Sequence, residues 1–214
     1  MINNKYKCIF IHINKNAGTS IDTLFNDKHS GHRNIKSYES FKKTKLVYPH
    51  YYKFTVVRNP WDKMVSFYHY HVKLGWKLEW GWSSDNEPTF IEFIKIIDGF
   101  SSERQMELWP ERKMYQHKSG TMRMSNQLDW LTDSNDKVQM DYICRFENLQ
   151  EDFNKVCDDI GFPKTELPYY NKSNHLHYST YYDEETKDIV ARRFSKDIEY
   201  FGYKFNSSSK EKLI

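Results

Sequence analysis

The segment FIHINKNAGTS, residues 10–20, constrains the fold of this chain more than any other feature of its sequence. Residues 8–13 are apolar apart from His12, which is typical of a strand that is buried on both faces of a parallel sheet. A polar turn with a lysine, a glycine and two hydroxyls follows, and it leads into a helix predicted over residues 18–25. Such a strand-to-helix turn directs backbone N–H groups and a cation to one place, so it predicts an anion-binding site.

A second strand-to-helix junction, FTVVRNPWDKMVSFY, lies at residues 54–68. Its asparagine and proline suit the N-cap and the first position of a helix. Arg58 stands at the end of the strand, and Ser66 lies about 140° around the helical wheel from Trp61, away from the apolar stripe. The alternative for both residues is an ordinary place on the solvated surface. We expect them to face a ligand, and two junctions of this kind predict a ligand with two separated anionic groups.

The remaining predicted elements alternate between strand and helix. They are a helix at residues 88–98, a strand at residues 142–146, a helix that ends at Gly161 and a last helix at residues 183–202. This alternation is typical of an α/β fold with a central parallel sheet flanked by helices. The length of 214 residues suits one domain over residues 1–205, followed by a polar tail at residues 206–214.

Composition narrows the classes of function. The net charge is only +3, which argues against a nucleic-acid partner. No run approaches the roughly 20 apolar residues that span a bilayer, so we expect no stable membrane insertion. The three cysteines lie in apolar runs at wide spacings, which predicts buried free thiols and no disulfide framework. Together these features predict a cytoplasmic protein.

The common phosphate-binding motifs do not account for the first turn. The pattern G-x-x-x-x-G-K-[ST] is absent, and the turn has one glycine where the dinucleotide pattern G-x-G-x-x-G needs three. Neither junction has an acidic cluster with the spacing of metal ligands, so no metal site is predicted. Taken alone, the first turn has an equally good alternative as an ordinary turn that contains a lysine.

Four blocks of the sequence resemble the carbohydrate-type sulfotransferases of sulfotransferase family 2, which include heparan sulfate 2-O-sulfotransferases and chondroitin sulfotransferases. FIHINKNAGTS looks like their 5′-phosphosulfate loop, H-I-P-K-T-A-G-T-S, and FTVVRNPWDKMVSFY looks like their 3′-phosphate motif. CRFENLQEDF is similar to their G-R-F-E-N-L-x-x-D-F block, and residues 167–205 resemble their C-terminal segment. The blocks occur in order along nearly the whole chain. The first loop departs at Asn14 and Asn16, where the family has proline and threonine, and the second motif departs at Lys63, where it has arginine.

The resemblance implies a P-loop-like sulfotransferase fold and an enzyme that uses 3′-phosphoadenosine 5′-phosphosulfate (PAPS) as donor. The product would be adenosine 3′,5′-bisphosphate (PAP). Lys15 and the backbone of the next five residues would bind the 5′-phosphosulfate, and Arg58 and Ser66 would bind the 3′-phosphate. Lys172 and Ser173 match a loop that lies near the donor in the family. The five residues that follow the lysine are Asn16, Ala17, Gly18, Thr19 and Ser20.

The predicted catalytic residues are Lys15 and His32. Lys15 is expected to stabilise the negative charge that grows on the bridging oxygen as the donor bond breaks. A sulfuryl group carries less charge than a phosphoryl group, so no metal is expected. His32 matches the histidine that serves as general base in related sugar 2-O-sulfotransferases, and its alternative is a solvated loop histidine. His12, in the predicted strand, is expected to be structural.

The acceptor is predicted to be a hydroxyl of a carbohydrate, and a lipid-linked sugar and a small alcohol stay open as alternatives. Aromatic planes and cations in the middle of the chain would suit a saccharide, although the same side chains could pack in the core or face water. They are Trp76, Trp80, Trp82, Arg112, Lys113, Lys118 and Arg123. Two other functions stay open at this point. One is a P-loop-like small-molecule kinase, which the missing lysine–serine pair of the P-loop disfavours, and the other is a nucleotide-binding module without catalysis.

Overall fold

A computed structural model of the chain describes residues 1–26, 31–40, 47–73, 88–98, 125–168 and 176–206. The described residues form two compact units, each with its own hydrophobic core. The first unit comprises those within Met1–Arg58 and Gln127–Asn171, and the second comprises those within Asn59–Asn126 and Lys172–Ile214. The single domain over residues 1–205 stays a prediction, as does the polar tail, of which residues 207–214 lie outside the described residues.

The first unit is built on a four-stranded sheet. Its strands, in spatial order and in chain order, are β1 (Ile2–Asn3), β2 (Cys8–Ile11), β3 (Tyr52–Val57) and β4 (Tyr142–Arg145). β2, β3 and β4 run parallel, and β1 pairs antiparallel with β2. The predicted α/β fold with a central parallel sheet is confirmed. The edge strand β1 was not predicted, because two residues are too few to show a hydrophobic period.

The α-helices of the described residues are numbered in chain order. They are α1 (Gly18–Leu24), α2 (Ile35–Ser40), α3 (Pro60–Lys73), α4 (Phe90–Asp98), α5 (Leu128–Leu131), α6 (Leu149–Ile160), α7 (Glu184–Arg193) and α8 (Ser195–Phe201). α1, α2, α5 and α6 belong to the first unit, and the others belong to the second. Short 3-10 turns occur at Tyr48–His50, Phe146–Asn148 and Tyr178–Tyr181.

The register of the parallel strands determines which residues meet at the end of the sheet. Ile11, the last residue of β2, pairs with Thr55, and the last residues of β3 and β4 pair with each other. β3 therefore extends two residues beyond β2 and ends level with β4. The chain leaves these strands at His12, Arg58 and Phe146. Because the carboxyl ends of parallel strands share one edge, these three residues lie along it, and we call it the carboxyl edge.

The core of the first unit lies between the sheet and two helices. Buried side chains of the strands pack with Ile21 of α1 and Phe153 of α6. Cys8, Cys144 and Cys157 belong to this core as free thiols, as predicted. Burial raises the pKa of Cys8 to about 12 and that of Cys157 to about 11. These two thiols therefore stay protonated at neutral pH and act as small apolar side chains.

The second unit is helical in its described residues. The apolar stripe predicted for α3 is confirmed, since Trp61, Met64 and Val65 are buried with side chains of α4 and α7. Asn59 caps α3 as predicted, because its side-chain Oδ1 accepts a hydrogen bond from the Trp61 N–H at 3.1 Å. Its carbonyl accepts the first helical hydrogen bond, from the Lys63 N–H at 2.8 Å.

The single helix predicted at residues 183–202 is wrong in its middle, because the chain forms two helices there. α7 begins after Asp183, whose carboxylate accepts a hydrogen bond from the Thr186 N–H at 2.8 Å. Phe194 then leaves the helical conformation. It is only 1% exposed, so the residue at the break between the two helices packs its ring in the core. Gly202 ends α8 in the left-handed conformation, as predicted.

Candidate active site

The turn between β2 and α1 has an unusual backbone. β2 ends at Ile11, two residues earlier than predicted, because the Ile13 N–H turns back to the Ile11 carbonyl at 3.1 Å. Lys15 and Ala17 then adopt the left-handed conformation, with φ of 65° and 57°. Each such residue costs on the order of 1 kcal/mol or more, and residues of this kind cluster at ligand-binding sites. Left-handed residues also turn neighbouring N–H groups towards one concave space, which suits an anion.

Asn16 joins this turn to the end of β3. Its amide Nδ2 donates hydrogen bonds to the Val56 carbonyl and to Gln127 Oε1, both at 2.7 Å. Asn16 is 1% exposed and Gln127 is fully buried, so the Asn16 side chain supports the turn from inside the protein. A contact between Asn16 and a ligand would therefore use its backbone N–H, which is the role that the sequence predicts.

Arg58 is fixed at the carboxyl edge by its backbone and by its side chain. Its N–H donates to Gln127 Oε1 at 2.9 Å, and its carbonyl accepts from Gln127 Nε2 at 2.8 Å. The guanidinium lies over the Phe146 ring, 3.9 Å from the ring centre, and Nη1 donates to the Lys15 carbonyl at 3.1 Å. The structure therefore brings together the two basic residues that the two junctions predict.

The proximity of Arg58 changes the ionisation of Lys15. Burial, followed by the positive charge of Arg58, lowers the pKa of the Lys15 ammonium to about 7. At neutral pH a large share of Lys15 is therefore uncharged when no anion is bound. An anion beside the two residues would favour the charged lysine, because it would offset the repulsion from Arg58 and give the ammonium a hydrogen-bond partner.

Gly18 is required at its position by another side chain of the protein. A Cβ atom on this residue would lie 2.0 Å from Cδ2 and 2.2 Å from Nε2 of the His12 imidazole. The sequence suggests that this glycine lets a ligand approach the backbone, whereas the group that approaches it in the structure is His12. A direct contact between Gly18 and the donor stays a prediction.

His12 forms a buried pair with Asp22 of α1. Its Nδ1 lies 2.7 Å from Asp22 Oδ2, and the two side chains are 12% and 8% exposed. The imidazole also stacks on Phe10, with ring centroids 5.7 Å apart. His12 is therefore held in one orientation at the start of α1, beside the turn.

His32 lies next to His12. Its Nδ1 is 3.0 Å from the His12 carbonyl oxygen, and the two imidazole rings meet edge to face with centroids 4.4 Å apart. A carbonyl oxygen only accepts hydrogen bonds, so Nδ1 of His32 carries the proton and the lone pair is on Nε2. This tautomer can take up a proton at Nε2, as a general base must. The assignment of His32 as the base stays a prediction.

Comparison with known proteins identifies the family of the chain. A model of the sulfotransferase family, family 2, matches residues 1–204. The chain belongs to this sulfotransferase family. No curated protein and no solved structure matches it. Membership confirms the resemblance seen in the four sequence blocks and favours sulfuryl transfer over the kinase alternative.

Of the other predicted donor-binding residues of the sulfotransferase, the structure describes some and not others. Thr19 is exposed in the first turn of α1, and the Ser20 N–H already donates to the Ala17 carbonyl at 3.0 Å. Ser66 lies on α3 in the second unit and is 8% exposed, so it is not the solvated serine of the alternative interpretation. The predicted residues that lie outside the described part of the chain are Lys172, Ser173, Trp76, Trp80, Trp82, Arg112, Lys113, Lys118 and Arg123.

The groups that the described residues of the sulfotransferase offer for chemistry at this site are cations, backbone N–H groups and imidazoles. No cluster of three or more histidine, cysteine or acidic side chains that could hold a metal occurs among the described residues. Within the same part of the chain, no helix is both long enough and apolar enough to cross a bilayer.

Three side chains of the sulfotransferase site were not predicted from the sequence. Gln127 bonds to Arg58 across 69 positions of sequence, and Asp22 pairs with a histidine ten positions away. Neither contact has a local sequence signal, because each depends on how the elements pack. Phe146, which lies under the Arg58 guanidinium, stands in the block CRFENLQEDF, so the resemblance could have indicated it.

Proposed function

We propose that this sulfotransferase transfers the sulfuryl group of PAPS to a hydroxyl of a carbohydrate and releases PAP. The observation that carries the proposal is the hydrogen bond from Arg58 Nη1 to the Lys15 carbonyl, at 3.1 Å. It joins the two junctions whose sequences resemble the 5′-phosphosulfate loop and the 3′-phosphate motif of the family. A donor with two separated anionic groups suits a carboxyl edge at which each of two junctions supplies a basic residue.

The 5′-phosphosulfate is assigned to Lys15 and to the backbone of residues 16–20. The left-handed conformations of Lys15 and Ala17 support this assignment, because residues in that conformation occur in backbone turns that bind anions. The lowered pKa of Lys15 supports it as well, because a bound anion would offset the burial and the charge of Arg58, which both disfavour the ammonium.

The 3′-phosphate is assigned to Arg58. A guanidinium has five N–H donors in one plane, and the stacking of Arg58 on Phe146 fixes that plane. Paired donors of this geometry match a phosphate group. Ser66 is added to this assignment on the family motif alone, and so are Lys172 and Ser173 near the donor.

The proposed chemistry uses one cation and one base. The donor supplies the sulfuryl group and keeps the electron pair of the broken sulfur–oxygen bond on the departing phosphate. The Lys15 ammonium stabilises the charge that develops on that oxygen. Nε2 of His32 accepts the proton of the acceptor hydroxyl while the hydroxyl oxygen bonds to sulfur. The proposal assigns no metal to the reaction.

The acceptor and the location of the enzyme are inferred from the sequence blocks and from the cysteines. A carbohydrate acceptor is inferred from the resemblance of the four blocks to carbohydrate-type sulfotransferases. A cytoplasmic location is inferred from the three buried free thiols. The net charge of +3 favours an acceptor other than nucleic acid.

Calorimetric titration with PAP and with ATP tests the donor. We expect PAP to bind at least about tenfold more tightly, because the 3′-phosphate engages Arg58. A transfer assay with radiolabelled PAPS and a panel of saccharides and small alcohols then tests the reaction. Tighter binding of ATP would refute the assignment of PAPS, and PAP binding without transfer to any acceptor would favour the non-catalytic module.

A variant of Lys15 separates catalysis from binding in the same assays. Lys15→Met keeps the length of the side chain and removes its charge. We expect turnover to fall on the order of 10²-fold and the affinity for PAPS, titrated without an acceptor, to fall much less, since the contact strengthens as the leaving oxygen becomes charged. Lys164→Met, which alters an exposed ion pair with Asp158, is the matched control.

A further inference from the structure

We propose that Asp22 and His12 are positioning residues that fix the orientation and the tautomer of His32. The inference rests on the proposed function, in which His32 is the general base. It adds two residues to the reaction that the sequence motifs do not assign. The three side chains form one connected series, from Asp22 on α1 through His12 at the end of β2 to His32 on the following loop.

The first link is the contact between Asp22 and His12. Oδ2 of Asp22 lies 2.7 Å from Nδ1 of His12, at a site where both side chains are largely buried. The second carboxylate oxygen, Oδ1, is buried and accepts no hydrogen bond from any residue that the structure describes. A buried carboxylate oxygen without a hydrogen bond is costly, so a contact that served packing alone would be better made by an apolar side chain. The arrangement indicates that the Asp22 carboxylate serves to orient the His12 ring.

The second link is the contact between His12 and His32. The His12 carbonyl accepts the Nδ1 proton of His32 at 3.0 Å, and the rings meet at an angle of 68° with centroids 4.4 Å apart. His12 therefore fixes both the tautomer of His32, through its carbonyl, and the tilt of the His32 ring, through its own ring. Because Asp22 and Phe10 restrain the His12 ring, the orientation of that ring depends on Asp22.

The series resembles other sites in which a carboxylate orients a working imidazole. Here the Asp22 carboxylate does not contact His32 directly but acts on it through His12. A purely structural role for the pair would differ in its consequences, because the pair also joins α1 to the end of β2. Loss of that connection would loosen the turn at Lys15 and weaken donor binding, whereas loss of positioning would lower turnover with donor binding intact.

Two variants distinguish these roles. Asp22→Asn keeps the shape of the side chain and removes its charge, and Asp158→Asn makes the same change in an exposed ion pair of α6 as a control. His12→Asn keeps the carbonyl that bonds to His32 and keeps an N–H donor near the position of Nδ1, so it keeps a partner for Asp22. It removes the ring that meets His32, and it serves as the second test if Asp22→Asn does not fold.

Three measurements are made on each variant: turnover, PAP affinity by calorimetry, and the His32 tautomer by imidazole nitrogen NMR, with signals assigned from a His32→Gln sample. We expect Asp22→Asn and His12→Asn to lower turnover roughly tenfold to a hundredfold, as for other partners that orient an imidazole. PAP affinity should stay within roughly twofold of that of the unaltered protein. The Nδ1-protonated form of His32 should predominate in the unaltered protein. It should lose that predominance in Asp22→Asn, because a released His12 ring no longer holds the His32 ring against the His12 carbonyl.

The inference is overturned if both variants turn over like Asp158→Asn, or if PAP affinity falls in parallel with turnover. It is also overturned if His32 is protonated mainly at Nε2 in the unaltered protein, or if its tautomer is unchanged in Asp22→Asn. The NMR measurement needs no substrate, so it still decides the inference if the unaltered protein transfers no sulfuryl group. In that case the proposed function fails separately, on the transfer assay.

Discussion

The Arg58 guanidinium donates a hydrogen bond to the carbonyl oxygen of Lys15 at 3.1 Å, and Lys15 is in the left-handed conformation. A residue assigned to one phosphate therefore stabilises the strained backbone of the turn assigned to the other. The two parts of the proposed donor site are therefore joined by a direct hydrogen bond within the first unit. A substitution of Arg58 should consequently also lower the affinity for ligands that lack the 3′-phosphate.

Arg58→Ala tests this connection. From the motif alone, the loss would be confined to ligands that carry a 3′-phosphate. The structure predicts that PAP affinity falls by about 2–4 kcal/mol and that the affinity for adenosine 5′-phosphate falls by about 1 kcal/mol, because the turn loses a hydrogen bond from a charged group. Calorimetric titration of both ligands measures the two effects. Unchanged binding of adenosine 5′-phosphate would contradict the connection, and Arg192→Ala, at an exposed ion pair with Asp98, is the control.

The pKa of Lys15 predicts that nucleotide binding takes up a proton. In the unliganded protein this pKa is about 7, lowered by burial and by Arg58. A bound phosphate raises it, so between the two values the complex holds more protons than the free protein, and PAP affinity falls as the pH rises. Near pH 8 the uptake should approach about one proton, since phosphate itself titrates near pH 6.

Calorimetry in buffers with different ionisation enthalpies counts these protons. The measured enthalpy should depend on the buffer for the unaltered protein near pH 8. Lys15→Met has no ammonium to protonate, so its binding enthalpy should be the same in every buffer. Equal proton uptake by the two proteins would assign the effect to another group.

His32→Ala tests the assignment of the general base. PAP affinity should be nearly unchanged, because the proposed role of His32 concerns the acceptor. Turnover should fall by about 10²–10⁴-fold, and added imidazole should restore part of it. The acidic limb of the pH–rate profile should also be lost. His50→Ala, which removes an exposed histidine, is the control, and normal turnover of His32→Ala would disprove the assignment.

Gly18→Ala should disturb the site through His12. The new Cβ atom would overlap the imidazole, so we expect the free energy of unfolding to fall by about 1–3 kcal/mol. His12→Ala removes the overlapping ring, so the double variant should be more stable than the sum of the two single effects predicts. Denaturant unfolding of the four proteins measures this coupling, and additive effects would place the cause elsewhere.

Local features of the fold could be predicted because their signals lie within a few residues. Asn59 caps α3, and Gly161 ends α6 in the left-handed conformation, as their positions in sequence indicate. The same kind of signal failed at Phe194, where an aromatic residue breaks a helix that has no glycine or proline at that point. The break depends on the core that receives the ring, and a helical period does not contain that information.

The residues of the site could be predicted better than the contacts that hold them in place. Lys15 and Arg58 follow from the two junctions, because parallel strands end at one edge. The partners that hold them could not be predicted in the same way. Gln127 reaches Arg58 across 69 positions, and the Asp22 pair forms only once α1 packs at the end of β2. Contacts of this kind are decided by packing in three dimensions.

The position of Gln127 in the sequence also determines when the contacts of the site can form during synthesis. Its amide bonds to both Asn16 and Arg58, which precede it in sequence by 111 and 69 positions. On the ribosome the chain emerges from its N-terminal end, so the turn and Arg58 are exposed while residue 127 is still to be added. During that interval the nascent chain carries both cations and lacks the amide that joins Asn16 to Arg58. If the proposed donor binds, we expect it to assist folding only after synthesis has passed Gln127.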